Sequence, residues 1–154
     1  MKKVTFTPIG VIRTPFKTRD DAPIQPSRAE GARGTVEIRP DLAEGLEDLD
    51  GFSHITLIYH LHLSKSFKLK VIPYLDDVPR GVFATRAPRR PNQIGVSVVR
   101  LIKIEGTVLH IENVDMLDGT PLLDIKPYVP GFVDQAEVRS GWLEDALRRD
   151  KKKK

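Results

Sequence analysis

The sequence contains no cysteine among its 154 residues. Disulfide-stabilised scaffolds, cysteine-ligated zinc, iron–sulfur clusters and cysteine nucleophiles are therefore excluded. No run of about 18 apolar residues is present, so the sequence predicts no membrane-spanning helix. Its start, MKKVTFTPIG, also lacks the apolar stretch of a secretory signal peptide. Together these absences predict a protein of the cytoplasm.

The two common glycine-rich nucleotide fingerprints are also missing. Neither G-x-x-x-x-G-K-[ST] nor G-x-G-x-x-G occurs in the chain, so P-loop and Rossmann nucleotide sites have no support. Any nucleotide cofactor must therefore bind to another kind of fold. Aromatic residues make up only 6% of the chain, and few of them lie near the arginines. This scarcity disfavours a base-stacking platform for RNA.

Charge is unevenly distributed along the chain, although the net charge is only +4. Residues 148–154 hold six basic groups and one acid, which leaves residues 1–147 with 19 basic and 20 acidic groups. Residues 51–75 and 78–104 contain no acid, whereas residues 41–50 contain five acids and no base. The acid-free middle of the chain predicts an anionic partner. The lysine tail is either a solvated tip or a weak, salt-sensitive contact to phosphates.

Apolar residues mostly alternate with polar ones, as in half-buried β-strands. In residues 52–63, one face is apolar and the other carries His54, Thr56, His60 and His62. A hairpin is predicted to turn at Glu105-Gly106. The sequence predicts further strands at residues 4–13, 34–39, 81–85, 94–104, 107–114 and 122–126, the last as an edge or end strand between two prolines.

Helices are few. Residues 40–49 predict two helical turns with Asp41 as a cap, and residues 140–149 predict a helix behind a serine cap. The pattern as a whole predicts a mainly β fold, a small closed antiparallel β-barrel with short helices and a C-terminal helix. We expect the barrel domain to span residues 1–135, and the helix with its lysine tail to span residues 136–154.

Two histidines, His60 and His62, lie about 7 Å apart on one face of a predicted strand. Such spacing can present two imidazoles to one metal ion, with a third ligand from elsewhere. The alternative, which we favour, is that they line a polar groove or a subunit contact as hydrogen-bonding groups.

Three arginines, Arg86, Arg89 and Arg90, project from a stretch stiffened by Pro88 and Pro91. Preorganised guanidinium groups suit recognition of carboxylate or phosphate. A solvated basic loop is the plain alternative, but no nearby acid neutralises these arginines, and we favour a functional role.

Asp115 and Asp118 stand near an Asp-Gly turn between two predicted strands. A carboxylate there can hold ribose hydroxyls or an ammonium group, or act as a base. It can equally cap the backbone of its own turn.

Five stretches carry a resemblance to a known family: PIGVIRTPF at residues 8–16, GFSH at 51–54, GVFATR at 81–86, RPNQIG at 90–95 and LDGTPLLDIKPY at 117–128. In this order they resemble the TsaA (TrmO-like) family of tRNA methyltransferases that use S-adenosylmethionine, and the chain is most similar to its shorter, archaeal-like branch. Ala87 and Asn92-Gln93 depart from the usual sequence of bacterial members at these positions. The resemblance implies an unusual β-barrel and a homodimer with cofactor pockets near the subunit boundary. It also implies N6-methylation of threonylcarbamoyl-adenosine beside the tRNA anticodon.

The resemblance also implies roles for individual residues. The residues expected to bind the cofactor are Gln25, Pro26, Ser27, His62, Leu63, Arg86, Val96, Leu117, Asp118, Gly119 and Thr120. Methyl transfer from a sulfonium requires alignment but no metal and no enzyme nucleophile. Because the reacting nitrogen is weakly nucleophilic, we expect a base to help remove its proton, with His60, Asp115 and Asp118 as candidates. The tRNA phosphates and the threonyl carboxylate are assigned to the cationic residues Lys65, Lys68, Lys70, Arg86, Arg89 and Arg90.

Two other functions compete with this interpretation. A non-enzymatic RNA-binding barrel would bind RNA but show no thermal shift with S-adenosylhomocysteine. A metal-dependent hydrolase built on His60, His62 and an aspartate would carry zinc or manganese and lose its activity to a chelator.

Overall fold

The computed structural model describes residues 1–23, 29–132 and 134–152. Its strands are β1 (Gly10–Arg13), β2 (Arg33–Ile38), β3 (His54–His60), β4 (Lys70–Val71), β5 (Arg80–Gly81), β6 (Ile94–Glu105), β7 (Val108–Glu112) and β8 (Thr120–Pro127). Short 3₁₀ helices span Pro40–Leu46, Leu49–Gly51, Val82–Ala84 and Gln135–Glu137, and one α-helix, α1, spans Trp142–Lys152. Across the described part of the chain, no helix is long and apolar enough to cross a membrane.

Six strands form a closed antiparallel barrel in the order β1-β2-β7-β6-β3-β8, with β8 pairing back onto β1. The predicted fold class is confirmed. The interior is filled by aliphatic side chains that come from every strand of the barrel, and closure leaves no unpaired edge. Its fully buried members include Ile12, Val36, Ile55, Leu57, Val99, Leu109, Ile111 and Leu122.

Strand β3 has the two faces that its alternation predicts. Ile55, Leu57 and Tyr59 are buried in the barrel core, whereas His54 is half-buried and His60 is exposed. The strand ends at His60, so His62 lies beyond it rather than two positions along the same strand. The hairpin of β6 and β7 is confirmed, with Gly106 at a φ of 61° in its turn.

Two strand predictions are wrong in extent or type. Of residues 4–13 only Gly10–Arg13 is a strand, and Val4 and Phe6 before it are exposed. Of residues 81–85, only Gly81 is in a strand, at the end of β5, and Val82–Ala84 form a 3₁₀ helix. The carbonyl of Val82 is engaged locally, since the N–H of Thr85 and its hydroxyl both donate to it.

The edge position predicted for residues 122–126 is also wrong. Strand β8 is part of the closed barrel wall, paired with β1 on one side and with β3 on the other. Its prolines are accommodated at the second and last positions, where Pro121 stands opposite Val11 and Pro127 opposite Ile55. Proline is compatible with such terminal positions even when the strand is paired on both sides.

The predicted helices begin differently from the sequence expectation. Asp41 does not cap its 3₁₀ helix, because its carboxylate accepts hydrogen bonds from the Arg39 guanidinium at 3.1 and 2.6 Å. Helix α1 begins at Trp142, two residues after Ser140, whose backbone N–H donates to the Glu144 carboxylate at 2.7 Å. The helix itself is confirmed.

Two compact units make up the chain. The barrel unit consists of Met1–Leu63 and Gln93–Tyr128, and the second unit consists of Ser64–Asn92 and Val129–Lys154. The second unit contains the two-stranded sheet of β4 and β5 as well as α1. The predicted division at residue 135 stays a prediction.

Candidate functional site

One end of the barrel collects those functional residues predicted in the barrel unit that the structure describes. Strand β3 finishes there at His60, which pairs with Ile94 at the start of β6. Strand β8 starts there at Thr120, opposite Ile12 near the finish of β1. We call this the His60 end of the barrel. Antiparallel pairing therefore brings together segments that are far apart in sequence, namely residues 14–23, 60–63, 94–97 and 113–120.

The turn at residues 117–120 is held by the finish of β1 and the loop after it. The backbone N–H of Asp118 donates to the carbonyl of Phe16 at 2.7 Å, and that of Gly119 donates to Ile12 at 2.9 Å. Gly119 has a φ of 77°, which glycine adopts without strain. The Thr120 hydroxyl closes the turn by donating to the carbonyl of Leu117 at 2.6 Å.

Both oxygens of the Asp118 carboxylate are engaged. One accepts from the backbone N–H of Thr14 at 3.1 Å, and the other accepts from the ammonium group of Lys17 at 2.5 Å. The hydrogen bond from Lys17 and then that from Thr14 lower the pKa of Asp118 below its usual value. Asp118 is therefore an anchor for the loop after β1, and its low pKa makes it a weak base.

A buried polar chain reaches Asp115 from the barrel core. The hydroxyl of Tyr59 is 2.9 Å from that of Ser97, which donates to the Asp115 carboxylate at 2.8 Å. Tyr59 and Ser97 are both buried, and Asp115 is half-buried. Ser97 occupies a core-facing position of β6 that an apolar residue would otherwise fill. This series of hydrogen bonds positions Asp115 at the His60 end of the barrel and gives the two buried hydroxyls hydrogen-bonding partners.

His60 and His62 flank the point where β3 stops. The backbone N–H of His62 donates to the carbonyl of His60 at 2.8 Å, and that of Leu61 donates to Gln93 at 2.8 Å. Burial, followed by the electrostatic interaction with His60, lowers the pKa of His62 below its usual value. The imidazole of His62 is therefore neutral at physiological pH.

Apolar side chains are exposed around these polar groups. Leu63 is 53% exposed, and Val96 on β6 is 41% exposed. Large apolar groups left open beside polar ones are typical of a site for an amphipathic ligand. Of two surface cavities, of about 540 and 400 Å³, the smaller is lined in part by Thr14 and Pro15 of the loop after β1.

In the second unit, the Arg90 side chain stabilises the backbone by hydrogen bonds. Its Nη1 donates to the carbonyls of Val82, Thr85 and Ala87 at 3.1, 2.8 and 3.2 Å. These bonds take up carbonyls at the end of the 3₁₀ helix Val82–Ala84 and shape the segment that carries Arg86. Arg86 and Arg89 are exposed, as are Lys65, Lys68 and Lys70.

Helix α1 docks on the same segment through an ionic cluster. The Asp76 side chain has no accessible area and accepts from Arg80 at 2.7 Å and from Arg149 of α1 at 2.9 Å. These hydrogen bonds, with Arg80 as the largest cause, lower the pKa of Asp76 to about 2. The Arg80 guanidinium lies 5.5 Å from the centre of the Trp142 ring, and the Trp142 indole N–H donates to the carbonyl of Ala84 at 2.8 Å.

Some predictions cannot be placed in this geometry. Gln25, Pro26 and Ser27 lie outside the described residues. Among the residues that are described, no group of three or more histidines and carboxylates could hold a metal ion. A site that joins His60 and His62 to an aspartate is thus not formed by this part of the chain.

A sequence model of the tRNA-methyltransferase O N-terminal domain matches residues 11–135. The chain belongs to this family. The match covers the barrel except Gly10, the first residue of β1, and it includes residues 64–92; the resemblance stated from the sequence motifs is confirmed.

Relatives and solved structures agree with this membership. A Pyrococcus abyssi protein named "Probable S-adenosyl-L-methionine-binding protein" is 55% identical over 146 residues, 95% of this chain and 79% of that protein. The tRNA (adenine(37)-N6)-methyltransferase of Mus musculus is 38% identical over 132 residues, 81% of this chain and 31% of that protein. A crystal structure of TrmO matches with a TM-score of 0.76 at 45% identity, over 91% of this chain and 64% of that one. The chain thus spans less than two thirds of that TrmO chain.

Several residues of the site were not predicted from the sequence. Thr14 and Lys17 orient Asp118 from about a hundred positions away, and no local pattern indicates that pairing. Ser97 could have been found, because it is a polar residue in the buried row of an otherwise apolar strand. Such a residue requires a hydrogen-bonding partner.

Proposed function

We propose that this chain is an S-adenosylmethionine-dependent methyltransferase that acts on the N6 nitrogen of threonylcarbamoyl-adenosine next to the tRNA anticodon. The observation that carries the proposal is the gathering at the His60 end of the barrel of His62, Leu63, Val96 and the turn at residues 117–120. These residues were assigned to the cofactor from motifs alone. The names of the Pyrococcus and mouse relatives support the same chemistry.

The described residues suit such a cofactor. Exposed Leu63 and Val96 offer apolar surface for an adenine ring, and the turn at residues 117–120 offers polar backbone for ribose hydroxyls. The lowered pKa of His62 keeps its imidazole neutral, so it does not repel a positively charged sulfonium. The polar groups are few and fixed by hydrogen bonds, as is usual in small-ligand sites.

S-adenosylmethionine supplies an electrophilic methyl group whose bond to sulfur breaks with its electron pair left on sulfur. As N6 gains the methyl group it loses one proton, so the chain must provide a proton acceptor. The Asp118 carboxylate is bound by Lys17 and Thr14 and has a lowered pKa, and Asp115 accepts from Ser97. We therefore assign proton acceptance to His60, which is exposed where β3 stops. Asp115 and Asp118 act as positioning residues.

The proposal extends to assembly and location. Large apolar side chains are exposed on the barrel unit, among them Phe52, Ile94, Ile102 and Tyr128. Because exposed apolar surface of this kind is typical of subunit contacts, we propose a homodimer. We place the protein in the cytoplasm, where tRNA is found. Sedimentation that gives the mass of one chain across micromolar concentrations would contradict the dimer.

Methyl transfer can be tested with methyl-labelled S-adenosylmethionine and tRNA that carries or lacks the threonylcarbamoyl group. We expect label only in the N6-methyl form of threonylcarbamoyl-adenosine after nucleoside digestion. Label in another nucleoside would show that the chain methylates that nucleoside instead. No label, combined with RNA binding and no thermal shift with S-adenosylhomocysteine, would favour the non-enzymatic RNA-binding barrel.

The role of His60 is tested by His60→Gln, with His54→Gln as the matched control at the opposite end of β3. A general base contributes about a hundredfold or more to the rate. We expect His60→Gln to lower kcat by about that factor and to leave S-adenosylhomocysteine binding unchanged. His54→Gln should retain full turnover. Equal loss in the two variants would contradict the assignment.

A further inference from the structure

Two segments of the second unit run side by side. The Ser64 hydroxyl donates to the carbonyl of Pro88 at 3.0 Å, and the backbone N–H of Lys68 donates to that of Arg89 at 3.2 Å. Farther along, the N–H of Val82 donates to Leu69 at 2.9 Å, and β4 pairs with β5. Residues 64–71 are thereby held against residues 80–90 along their length.

The pairing concentrates positive charge. Lys65, Lys68 and Lys70 on the first segment and Arg89 on the second are exposed. Within the described residues, none of these four side chains has an ion-pair or hydrogen-bond partner, whereas Arg80 and Arg90 of the same unit are engaged internally. Both segments are also free of acids between residues 64 and 71 and between 80 and 90. A cluster of unpaired cations of this kind fits an anionic partner.

The expectation drawn from the scarcity of aromatic residues does not hold for these two segments, which carry exposed rings among the cations. Phe67, between Lys65 and Lys68, is 56% exposed, and Phe83 on the second segment is 76% exposed. In the sequence Phe67 is more than twenty residues from Arg89, and it is the backbone bond of its neighbour Lys68 that brings the two segments together. Rings that stack on bases, combined with cations that contact phosphates, are the common means of binding single-stranded RNA.

We propose that Lys65, Phe67, Lys68, Lys70 and Arg89 form a surface that binds an unpaired stretch of RNA, with Phe67 stacking on a base. This inference rests on the proposed function, because it assigns the anticodon loop of the substrate tRNA to this surface. Duplex RNA hides its base faces, so stacking on Phe67 is available only to unpaired nucleotides. The cations supply affinity that depends on salt, and Phe67 supplies the preference for a loop.

The test compares fluorescence anisotropy of an anticodon stem-loop with that of a fully paired RNA of the same length. Stacking is worth about 1–3 kcal/mol per base, and about 1.4 kcal/mol corresponds to tenfold. We expect Phe67→Leu to weaken stem-loop binding about tenfold and to leave duplex binding unchanged. Phe67→Tyr should bind like the wild type because it keeps the ring. The matched control is Phe132→Leu, which removes an 83% exposed ring from a stretch, residues 127–138, that contains no cation.

Salt dependence separates stacking from charge. Removing one phosphate contact lowers the slope of log affinity against log salt by about 0.7 for single strands. We expect Lys68→Gln to lower the slope by about that amount for the stem-loop, and Phe67→Leu to leave it unchanged. The proposal would be overturned if Phe67→Leu left the stem-loop affinity unaltered. It would also be overturned if Phe67→Leu weakened stem-loop binding and duplex binding by the same factor.

Three further outcomes are distinct. If Phe67→Leu converts a dimer into a monomer, a second copy of this chain covers Phe67 and the proposal fails. If the stem-loop binds as expected but no tRNA is methylated, the proposed function fails and this surface stands. If methylation proceeds and Phe67→Leu leaves its KM unchanged, the proposed function stands and this surface is wrong.

Discussion

Gly95 shows how one residue shapes the His60 end of the barrel. It stands opposite Tyr59 in the β3–β6 pair, and a Cβ at this position would overlap the Tyr59 ring. The absence of a side chain therefore leaves room for the ring, whose hydroxyl lies 2.9 Å from that of Ser97. The close approach, rather than an unusual φ, is what requires glycine here.

We predict that Gly95→Ala destabilises the protein by about 1–3 kcal/mol, the usual cost of overpacking a core. The added methyl group must displace the Tyr59 ring, which is confined by the barrel. Gly45→Ala is the control, because nothing lies within 4 Å of a Cβ there. Urea unfolding should show a lower midpoint for Gly95→Ala alone. Equal midpoints for the two variants would contradict the close approach.

The lowered pKa of His62 predicts a pH effect that differs between two ligands. As pH falls through that pKa, below the usual 6.5, His62 becomes positively charged. Its charge then repels the sulfonium of S-adenosylmethionine but not the neutral sulfur of S-adenosylhomocysteine. We expect calorimetry to show S-adenosylmethionine binding weakening more steeply at acidic pH.

The control for this pH effect is His62→Gln, which removes the titrating group and should make the two ligands respond alike. His60→Gln separates the contribution of the neighbouring imidazole. Identical pH profiles for both ligands in the wild type would show that His62 does not face the sulfonium.

Among the elements, α1 is tied to the segment that carries Arg86. Its Trp142 donates to the carbonyl of Ala84, and its Arg149 pairs with the buried Asp76. Both contacts hold residues 76–84 against the helix. The conformation of this segment thus depends on a helix that is remote from it in sequence.

We predict that Trp142→Phe loosens this segment, since it removes the indole donor and keeps an aromatic ring for Arg80. The lost hydrogen bond is worth about 1 kcal/mol, so amides of residues 82–85 should exchange roughly fivefold faster. Hydrogen exchange with mass spectrometry measures this. Arg148→Ala is the control, because its ion pair with Asp145 is exposed and 3.9 Å long. Unchanged exchange in Trp142→Phe would contradict the role of α1.

For the whole molecule, the lysine tail decides the net charge. Replacing the four lysines of residues 151–154 by glutamine leaves 21 basic and 21 acidic groups, so the net charge falls from +4 to 0. We expect RNA affinity at low salt to fall a few-fold with a shallower salt dependence, and S-adenosylhomocysteine binding to stay the same. Filter binding across a salt series tests this. An unaltered salt dependence would identify the tail as a solvated tip.

Prediction from the sequence succeeded where the information is local. The alternation in residues 52–63 placed Ile55, Leu57 and Tyr59 in the core, and the turn at Gly106 was placed correctly in its hairpin. It failed for residues 82–85, whose alternation resembles a strand, because the Arg90 side chain and the Thr85 hydroxyl donate to carbonyls of this segment. A local sequence pattern does not show which remote side chain will donate hydrogen bonds to the backbone carbonyls of a segment.

The β class, the motifs of the family and the acid-free cationic stretches can be read from the linear order of residues, because periodicity, motif order and charge are properties of neighbouring residues. Which of those residues act together depends on the folded chain. Barrel closure put Lys17 on Asp118 and Ser97 on Asp115, and paired segments put Lys68 beside Arg89. Those contacts join positions far apart in the chain, and they form only when burial of the apolar faces compensates for the entropy of ordering them.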